Sequence, residues 1–200
     1  MTTTILSDLD GVLVDSQESI MRAWRWWGAL HGVEAQAIES VQHGRPSGEI
    51  IAMLAPDLDA AAESRAIDLR QAGDTDGVVA LPGARDLLAG GEPVAIVTSC
   101  TVPLATARLR AAGLPIPDVL VTPERLARGK PDPEGYLLAA RKLGVDPRRC
   151  LVVEDAEAGV RAGQAAGAVV AALRGVPADI AIADLYELTS RLGQAENPRA

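Results

Sequence analysis

The hydrophobic pattern of the chain contains short, unbroken apolar runs that end at polar or turn residues. Such runs lie at Thr4–Leu6, Pro93–Val97, Val119–Val121, Cys150–Val153 and Ala168–Leu173. A strand that is buried on both faces needs apolar side chains at successive positions, whereas a half-exposed strand alternates apolar and polar ones. The runs therefore predict the strands of a parallel sheet that is covered on both faces.

Segments in which apolar positions recur at helical spacing separate these runs. They span Pro82–Ala89, Val102–Ala112, Pro133–Leu143 and Ala156–Ala166, and the last three are followed by Gly113, Gly144 and Gly167. A glycine directly after the last periodic residue is typical of a helix end. The alternation of strands and helices predicts an α/β fold with an open, Rossmann-like parallel sheet.

Residues 17–80 interrupt this alternation. Ile20, Trp24, Trp27 and Leu30 recur there at helical spacing, and the segment has no strand-like run. The pattern predicts helices over about 17–31, 34–42, 46–54 and 58–73. We interpret residues 16–80 as a helical domain inserted into an α/β core domain that comprises residues 1–15 and 81–200.

Composition and net charge exclude some classes of binding partner. Of the 200 residues 48% are hydrophobic, and the net charge is −8 with a pI near 4.8. A negative protein repels nucleic acid and anionic membrane surfaces at long range, so neither is an expected partner. The N-terminal segment resembles no signal peptide, and Cys100 and Cys150 suggest no disulfide framework. We expect a cytoplasmic protein that is a monomer or a weak homo-oligomer.

Polar side chains follow the predicted strands at the edge where a parallel sheet binds its ligands. The set comprises Asp8, Asp10 and Gly11 after the first strand, Thr98 and Ser99 after the second, Lys130 in a later loop, and Glu154 with Asp155. Carboxylates gathered at one place repel one another unless a cation is present. Oxygen ligands of high negative charge favour a hard ion, and Mg²⁺ suits a phosphorylated small molecule as substrate.

The charges of these groups suggest their roles. Asp8 is expected to be ionised at neutral pH and to act as the nucleophile, while Asp10 protonates the leaving alcohol and then deprotonates water. Lys130 would offset the negative charge that opposes attack on a phosphate. Gly11, Thr98 and Ser99 would bind the phosphoryl group, and the expected metal ligands are Asp8, Asp10, Glu154 and Asp155.

Four segments together resemble the ordered motifs of haloacid dehalogenase-like hydrolases. They are DLDGVLVDS (Asp8–Ser16), IVTS (Ile96–Ser99), GKPDP (Gly129–Pro133) and VVEDAEAGVRAG (Val152–Gly163). The position of the insert resembles the helical cap of the sugar and glycerol phosphatase branch of that family. The resemblance covers essentially the whole chain and implies a Mg²⁺-dependent phosphatase. True dehalogenases lack the second aspartate of the first motif, so Asp10 indicates phosphoryl transfer.

Substrate choice is expected to depend on the cap, because the phosphate site is common to the family. His43, Gly44 and Arg45 lie between two predicted helices and resemble an element found in sugar and glycerol phosphatases of this family. This resemblance implies that they bind the hydroxyl groups or the phosphate of the substrate. The alternative is a glycine turn beside a solvated arginine.

Two other functions have to be weighed against a phosphatase. A phosphomutase resembling β-phosphoglucomutase would carry a histidine and an arginine in the cap, where this chain has Ile20 and Ser47. A non-catalytic binding protein built on the same fold would be expected to have lost part of the catalytic set, which is complete here. Both comparisons favour a phosphatase that acts on a small sugar or polyol phosphate.

Overall fold

The computed structural model of the chain describes residues 4–41 and 47–196. Strands and helices alternate in it, and the bounds of the strands are β1 Thr4–Ser7, β2 Val14–Asp15, β3 Val79–Ala80, β4 Val94–Val97, β5 Val119–Val121, β6 Cys150–Glu154, β7 Val169–Ala172 and β8 Ile180–Ala181. The α-helices are α1 Gln17–His31, α2 Ala35–Val41, α3 Ser47–Leu54, α4 Ala60–Gly73, α5 Ala84–Ala89, α6 Val102–Ala111, α7 Glu134–Leu143, α8 Glu157–Ala165 and α9 Leu185–Glu196.

A parallel sheet forms the centre of the described part of the chain. Its strand order is β5-β4-β1-β6-β7-β8, and each neighbouring pair is parallel. The predicted α/β fold with a Rossmann-like parallel sheet is confirmed. The order along the chain reverses at β1, which lies between β4 and β6. In open α/β sheets this switch point, at the carboxyl ends of the strands, is where ligands bind.

The apolar runs become strands because both faces of the sheet are covered. On one face Ile5 packs in a buried cluster with side chains of α5, α6 and α9, among them Leu87, Leu109 and Leu188. On the other face the adjacent Leu6 belongs to a cluster formed with α7 and α8. Successive side chains of a strand point to opposite faces, so a doubly covered strand buries every one of them.

The helices α1 to α4 occupy the segment that lacks strand-like runs. They have an apolar cluster of their own, in which Trp24 and Trp27 meet edge to face at 5.5 Å together with Ile38, Ile51 and Ile67. The antiparallel pair β2–β3 joins the chain where it enters and leaves this segment. These four helices are called the helical layer below; the division of the chain into two domains stays a prediction.

The structure differs from the sequence-based expectation mainly in its shortest elements. The predicted helices are found with ends within two residues of those expected. The strands β2, β3 and β8 were not predicted, because each has two residues, too few to show a periodicity. The helix α9 was also missed. Within the described ranges, no helix is long and apolar enough to cross a bilayer.

Candidate active site

Asp8 and Glu154 lie side by side because the strands that carry them are adjacent and in register. In the β1–β6 pair, Ser7 is aligned with Val153, and the backbone N–H of Asp8 donates to the carbonyl oxygen of Val153 at 2.9 Å. Asp8 is the first residue after β1, and Glu154 is the last residue of β6. The two carboxylates therefore emerge together at the switch point of the sheet.

Lys130 connects these two carboxylates. Its Nζ lies 2.6 Å from Oδ1 of Asp8 and 2.7 Å from Oε1 of Glu154, and all three side chains are largely buried. Burial by itself would lower the pKa of Lys130, but the negative charges of Asp8 and Glu154 outweigh it and raise that pKa well above its ordinary value. The lysine therefore carries a full positive charge against the predicted nucleophile.

The position of Glu154 is fixed by several donors. The hydroxyl of Tyr136 donates to Oε1 at 2.6 Å, and the backbone N–H groups of Asp155 and Ala156 donate to Oε2 at 3.1 and 3.4 Å. Burial and the charge of Glu154 raise the pKa of Tyr136, so its hydroxyl stays protonated. Sequence reasoning missed Tyr136, because one tyrosine on the apolar face of a helix resembles an ordinary core residue.

The loop that carries Lys130 is held by a second residue that was not predicted. The carboxylate of Glu134 accepts hydrogen bonds from the backbone N–H groups of Ala127 and Arg128, both at 3.0 Å. Arg128 and Asp132 form an ion pair of 3.0 Å within the same loop. Glu134 stands in the first turn of α7, where a glutamate is common for local reasons, so the sequence did not distinguish this role.

Asp155 completes an acidic group with Asp8 and Glu154. Carboxylate oxygens of these three residues lie within 4.8 Å of one another. Burial, with the charges of Glu154 and Asp155, raises the pKa of Asp8 well above its ordinary value despite the opposing Lys130. Burial and Glu154 raise the pKa of Asp155 to about 6. A compact set of oxygen donors with such unfavourable ionisation fits a hard divalent cation.

Gly11 packs directly against this acidic group. Its φ is +77°, and a Cβ added there would lie 1.9 Å from Oδ2 of Asp155 and 3.2 Å from Cζ of Arg174. The Nε of Arg174 is 3.6 Å from the same carboxylate oxygen of Asp155. The glycine is thus required by its left-handed backbone and by the space that Asp155 fills. Arg174 was not among the predicted site residues.

The carboxylate of Asp10 points away from the acidic group. Oδ1 accepts a hydrogen bond from the hydroxyl of Ser16 at 2.6 Å, and Oδ2 accepts one from the thiol of Cys100 at 2.8 Å. Arg108 of α6 also donates to Oδ2 through Nη1. The chain turns after Asp8 instead of continuing as a strand, and the carboxylate oxygens of Asp10 are not among those of the acidic group, which contains the other three expected metal ligands.

Thr98 and Ser99 follow β4, the other neighbour of β1. Thr98 is buried, and its Oγ1 accepts a hydrogen bond from the backbone N–H of Cys100 at 3.1 Å. Ser99 is exposed. Both residues therefore stand at the same sheet edge as Asp8. The predicted cap residues His43, Gly44 and Arg45 lie outside the described residues.

Comparisons with known proteins agree on one family. A family model of haloacid dehalogenase-like hydrolases matches residues 2–167. Hexitol phosphatase A of Escherichia coli is 45% identical over 181 residues, which cover 87% of this chain and 83% of that protein. Fructose-1-phosphate phosphatase of Escherichia coli is 30% identical over 172 residues, which cover 82% and 92%. The structure is similar to that of CbbY from Rhodobacter sphaeroides in complex with phosphate, with a TM-score of 0.81, 28% identity, and coverage of 94% of this chain and 96% of that one. The chain belongs to the haloacid dehalogenase-like hydrolases.

Proposed function

We propose that the protein is a Mg²⁺-dependent phosphomonoesterase for a small sugar or polyol phosphate, and that it forms a phosphoenzyme on Asp8. The observation that carries the proposal is the pairing of Asp8 with Lys130 beside the acidic group of Asp8, Glu154 and Asp155. The similarity to phosphatases of hexitol phosphates and of fructose 1-phosphate supports the substrate class. The reaction then has two halves.

In the first half, an oxygen of Asp8 attacks phosphorus, and the bond between phosphorus and the ester oxygen breaks. An anion that attacks an anionic phosphate needs positive charge at the transition state. Lys130 supplies this charge, because its Nζ lies 2.6 Å from Oδ1 of the attacking Asp8. Mg²⁺, held by the acidic group of Asp8, Glu154 and Asp155, would add positive charge and favour the ionised form of Asp8. Glu154 keeps Lys130 in place, because it accepts the second hydrogen bond of the ammonium group.

Asp10 carries out both proton transfers of the reaction. Its carboxyl group gives a proton to the leaving oxygen, so that a neutral alcohol departs. In the second half its carboxylate takes a proton from the water that attacks phosphorus, and the bond between phosphorus and Asp8 breaks to release inorganic phosphate. One ester and one water become one alcohol and one phosphate, and Asp8 is regenerated. A positioned acid and base of this kind contributes about 10²–10⁴-fold to the rate.

Two further sets of residues bind the substrate in this proposal. Thr98, Ser99 and the backbone at Gly11 contact the phosphoryl oxygens from the carboxyl ends of β4 and β1. His43, Gly44 and Arg45 contact the sugar or polyol, an assignment that rests on the sequence alone. The protein acts in the cytoplasm as a monomer or weak homo-oligomer. Size-exclusion chromatography with light scattering measures the oligomeric state.

Release of inorganic phosphate from a panel of hexitol, hexose, glycerol and nucleoside monophosphates tests the function. We expect the polyol and sugar phosphates to be the best substrates, with activity that needs Mg²⁺ and stops in excess EDTA. Asp8→Asn should fold normally and be inactive, since an amide cannot form the phosphoenzyme. Turnover by Asp8→Asn, purified on fresh resin, contradicts the nucleophile. An isomerised sugar phosphate that appears faster than free phosphate would make the enzyme a mutase.

A further inference from the structure

Arg108 is a buried arginine that contacts both the α/β sheet region and the helical layer. Its side chain is 3% exposed, and Nη1 donates to Oδ2 of Asp10 and to the sulfur of Cys100. Nη2 donates to Oε1 of Gln71, a buried residue of α4. One guanidinium group thus links the carboxylate to which proton transfer is assigned with a helix of the layer above it.

The burial of Arg108 is not explained by stability. Its Nε has no hydrogen-bond partner among the residues that the structure describes, and an unsatisfied buried donor is destabilising. Buried ion pairs are also weak contributors to stability, because desolvation of the charges offsets their attraction. Apolar side chains in place of Arg108 and its polar partners would fill the same space between α4 and α6 without these penalties. The contacts of Arg108 therefore point to a role in the reaction.

The direction of the Asp10 carboxylate suits the protonation of a leaving group. In phosphoryl transfer the attacking and leaving oxygens lie roughly in line on opposite sides of phosphorus. The acid must therefore stand away from Asp8 and the cation ligands. Asp10 is not part of the acidic group of Asp8, Glu154 and Asp155, and its carboxylate accepts a hydrogen bond from Arg108 of α6.

We infer that Arg108 is a positioning residue that holds the Asp10 carboxylate towards the leaving group, and that Gln71 holds Arg108 in this position. The inference rests on the proposed function, in which Asp10 transfers protons. The guanidinium is planar, so the arm that binds Asp10 is oriented when the other arm is bound by Gln71. Asp68, one turn before Gln71 on α4, accepts a side-chain hydrogen bond from Thr101 and adds a second polar contact between the two layers.

A leaving-group comparison separates positioning from general damage. Nitrophenolate can leave as an anion without being protonated. The oxygen of a sugar or polyol has to receive a proton as it leaves. Arg108→Met should therefore lower kcat for the best polyol phosphate roughly 100-fold, and should lower the first-turnover release of nitrophenolate from p-nitrophenyl phosphate far less. Hydrolysis of the phosphoenzyme still needs Asp10, so rapid-quench measurements should show a nitrophenolate burst close to the enzyme concentration. Equal losses on both substrates, without a burst, overturn the inference.

Matched variants sharpen this test. Arg110→Met changes an exposed arginine of the same helix and should behave like the wild type. Gln71→Met should reproduce the pattern of Arg108→Met more weakly, and it carries the test if Arg108→Met does not fold. Adding Arg108→Met to Asp10→Asn should cause no further loss, because Arg108 acts through Asp10. Additive losses in the double variant overturn the inference.

Failure of the inference can be told from failure of the proposed function. If Asp8→Asn or Asp10→Asn keeps wild-type turnover, the proposed chemistry is wrong, whatever Arg108→Met does. If both aspartate variants are inactive while Arg108→Met matches Arg110→Met on both substrates, the proposed function stands and Arg108 has no part in positioning.

Discussion

The Nζ of Lys130 lies 2.6 Å from Oδ1 of Asp8, although 122 positions separate the two residues in the chain. The contact forms because the loop after β5 returns to the carboxyl end of β1, where Asp8 stands. Glu154 accepts the other short hydrogen bond of the same ammonium group, so one cation serves two buried carboxylates. Removing the ammonium group of Lys130 should therefore affect both catalysis and the ionisation of the Asp8 and Glu154 carboxylates.

Lys130→Met should lower kcat by about 10²–10³-fold, the usual loss when one oriented donor to a transition-state charge is removed. Methionine keeps the unbranched apolar stem and most of the length of the side chain, so the main change is loss of the charged ammonium group. Steady-state phosphate release measures the effect. Lys142→Met, at an exposed position of α7, is the matched control and should keep wild-type activity. A Lys130→Met enzyme with more than a tenth of wild-type kcat would exclude Lys130 from charge stabilisation.

The metal-free protein should lose stability as the pH rises through about 6. The pKa of Asp155 is raised from 3.8 to about 6 by burial and by Glu154, so the folded state binds the proton more tightly than the unfolded one. This contribution is fully present below about pH 4 and disappears above pH 6. Asp68, whose pKa burial also raises to about 6, adds a loss of the same sign.

Thermal unfolding in EDTA between pH 4.5 and 8 tests this expectation. Mg²⁺ should restore stability at pH 8, since a ligand that binds the folded state stabilises it by mass action. Asp155→Asn should flatten the pH dependence and weaken the response to Mg²⁺, whereas the exposed Asp118→Asn should change neither. A metal-free protein that is more stable at pH 8 than at pH 5 contradicts the assigned cause.

The sheet and the residues at its carboxyl edge could be predicted because they follow from chain order alone. A run of apolar residues marks each strand, and the polar residue after it must lie at the ligand-binding edge. Asp8, Thr98 and Glu154 could be placed in this way without knowledge of any side-chain conformation. The antiparallel pair β2–β3 could not, because two residues per strand leave no pattern.

Contacts between side chains of different elements were beyond such reasoning. The partners of Asp10 are Ser16, Cys100 and Arg108, and the last two lie 90 and 98 positions from it in the chain. Their meeting depends on a turn directly after Asp8 and on the packing of α6 against α4. Tyr136 is similar, since its hydroxyl meets Glu154 only because α7 packs on the part of the sheet formed by β5, β4 and β1, next to β6. Periodicity identifies the buried face of a helix but not the atom that a buried hydroxyl contacts.

The predicted role of Arg45 can be measured although that residue lies outside the described part of the chain. If Arg45 binds the sugar or polyol, Arg45→Ala should reduce kcat/KM for the best such substrate by roughly tenfold, the scale of one charge-assisted hydrogen bond. The loss on p-nitrophenyl phosphate should be much smaller, because that substrate has no hydroxyl groups to bind. Equal losses on both substrates would remove Arg45 from substrate choice.

Gly159→Ala should disable the site through Glu154. A Cβ at Gly159 would lie 1.7 Å from Oε1 of Glu154, the oxygen that accepts hydrogen bonds from Lys130 and Tyr136, so the carboxylate or the start of α8 has to move. We expect kcat to fall at least 100-fold, as for loss of the oriented Lys130, and the melting temperature to drop. Gly193→Ala on the helix α9 is the control, because its added Cβ meets nothing within 4 Å. Its free energy of unfolding should stay equal or rise by about 0.5–1 kcal/mol, and its activity should not change. Alanine has a higher helix propensity than glycine, so any loss in Gly159→Ala cannot come from a weakened helix. If the variant is intact and active, Glu154 tolerates displacement. The tight packing of α8 would then have no part in holding Lys130 against Asp8.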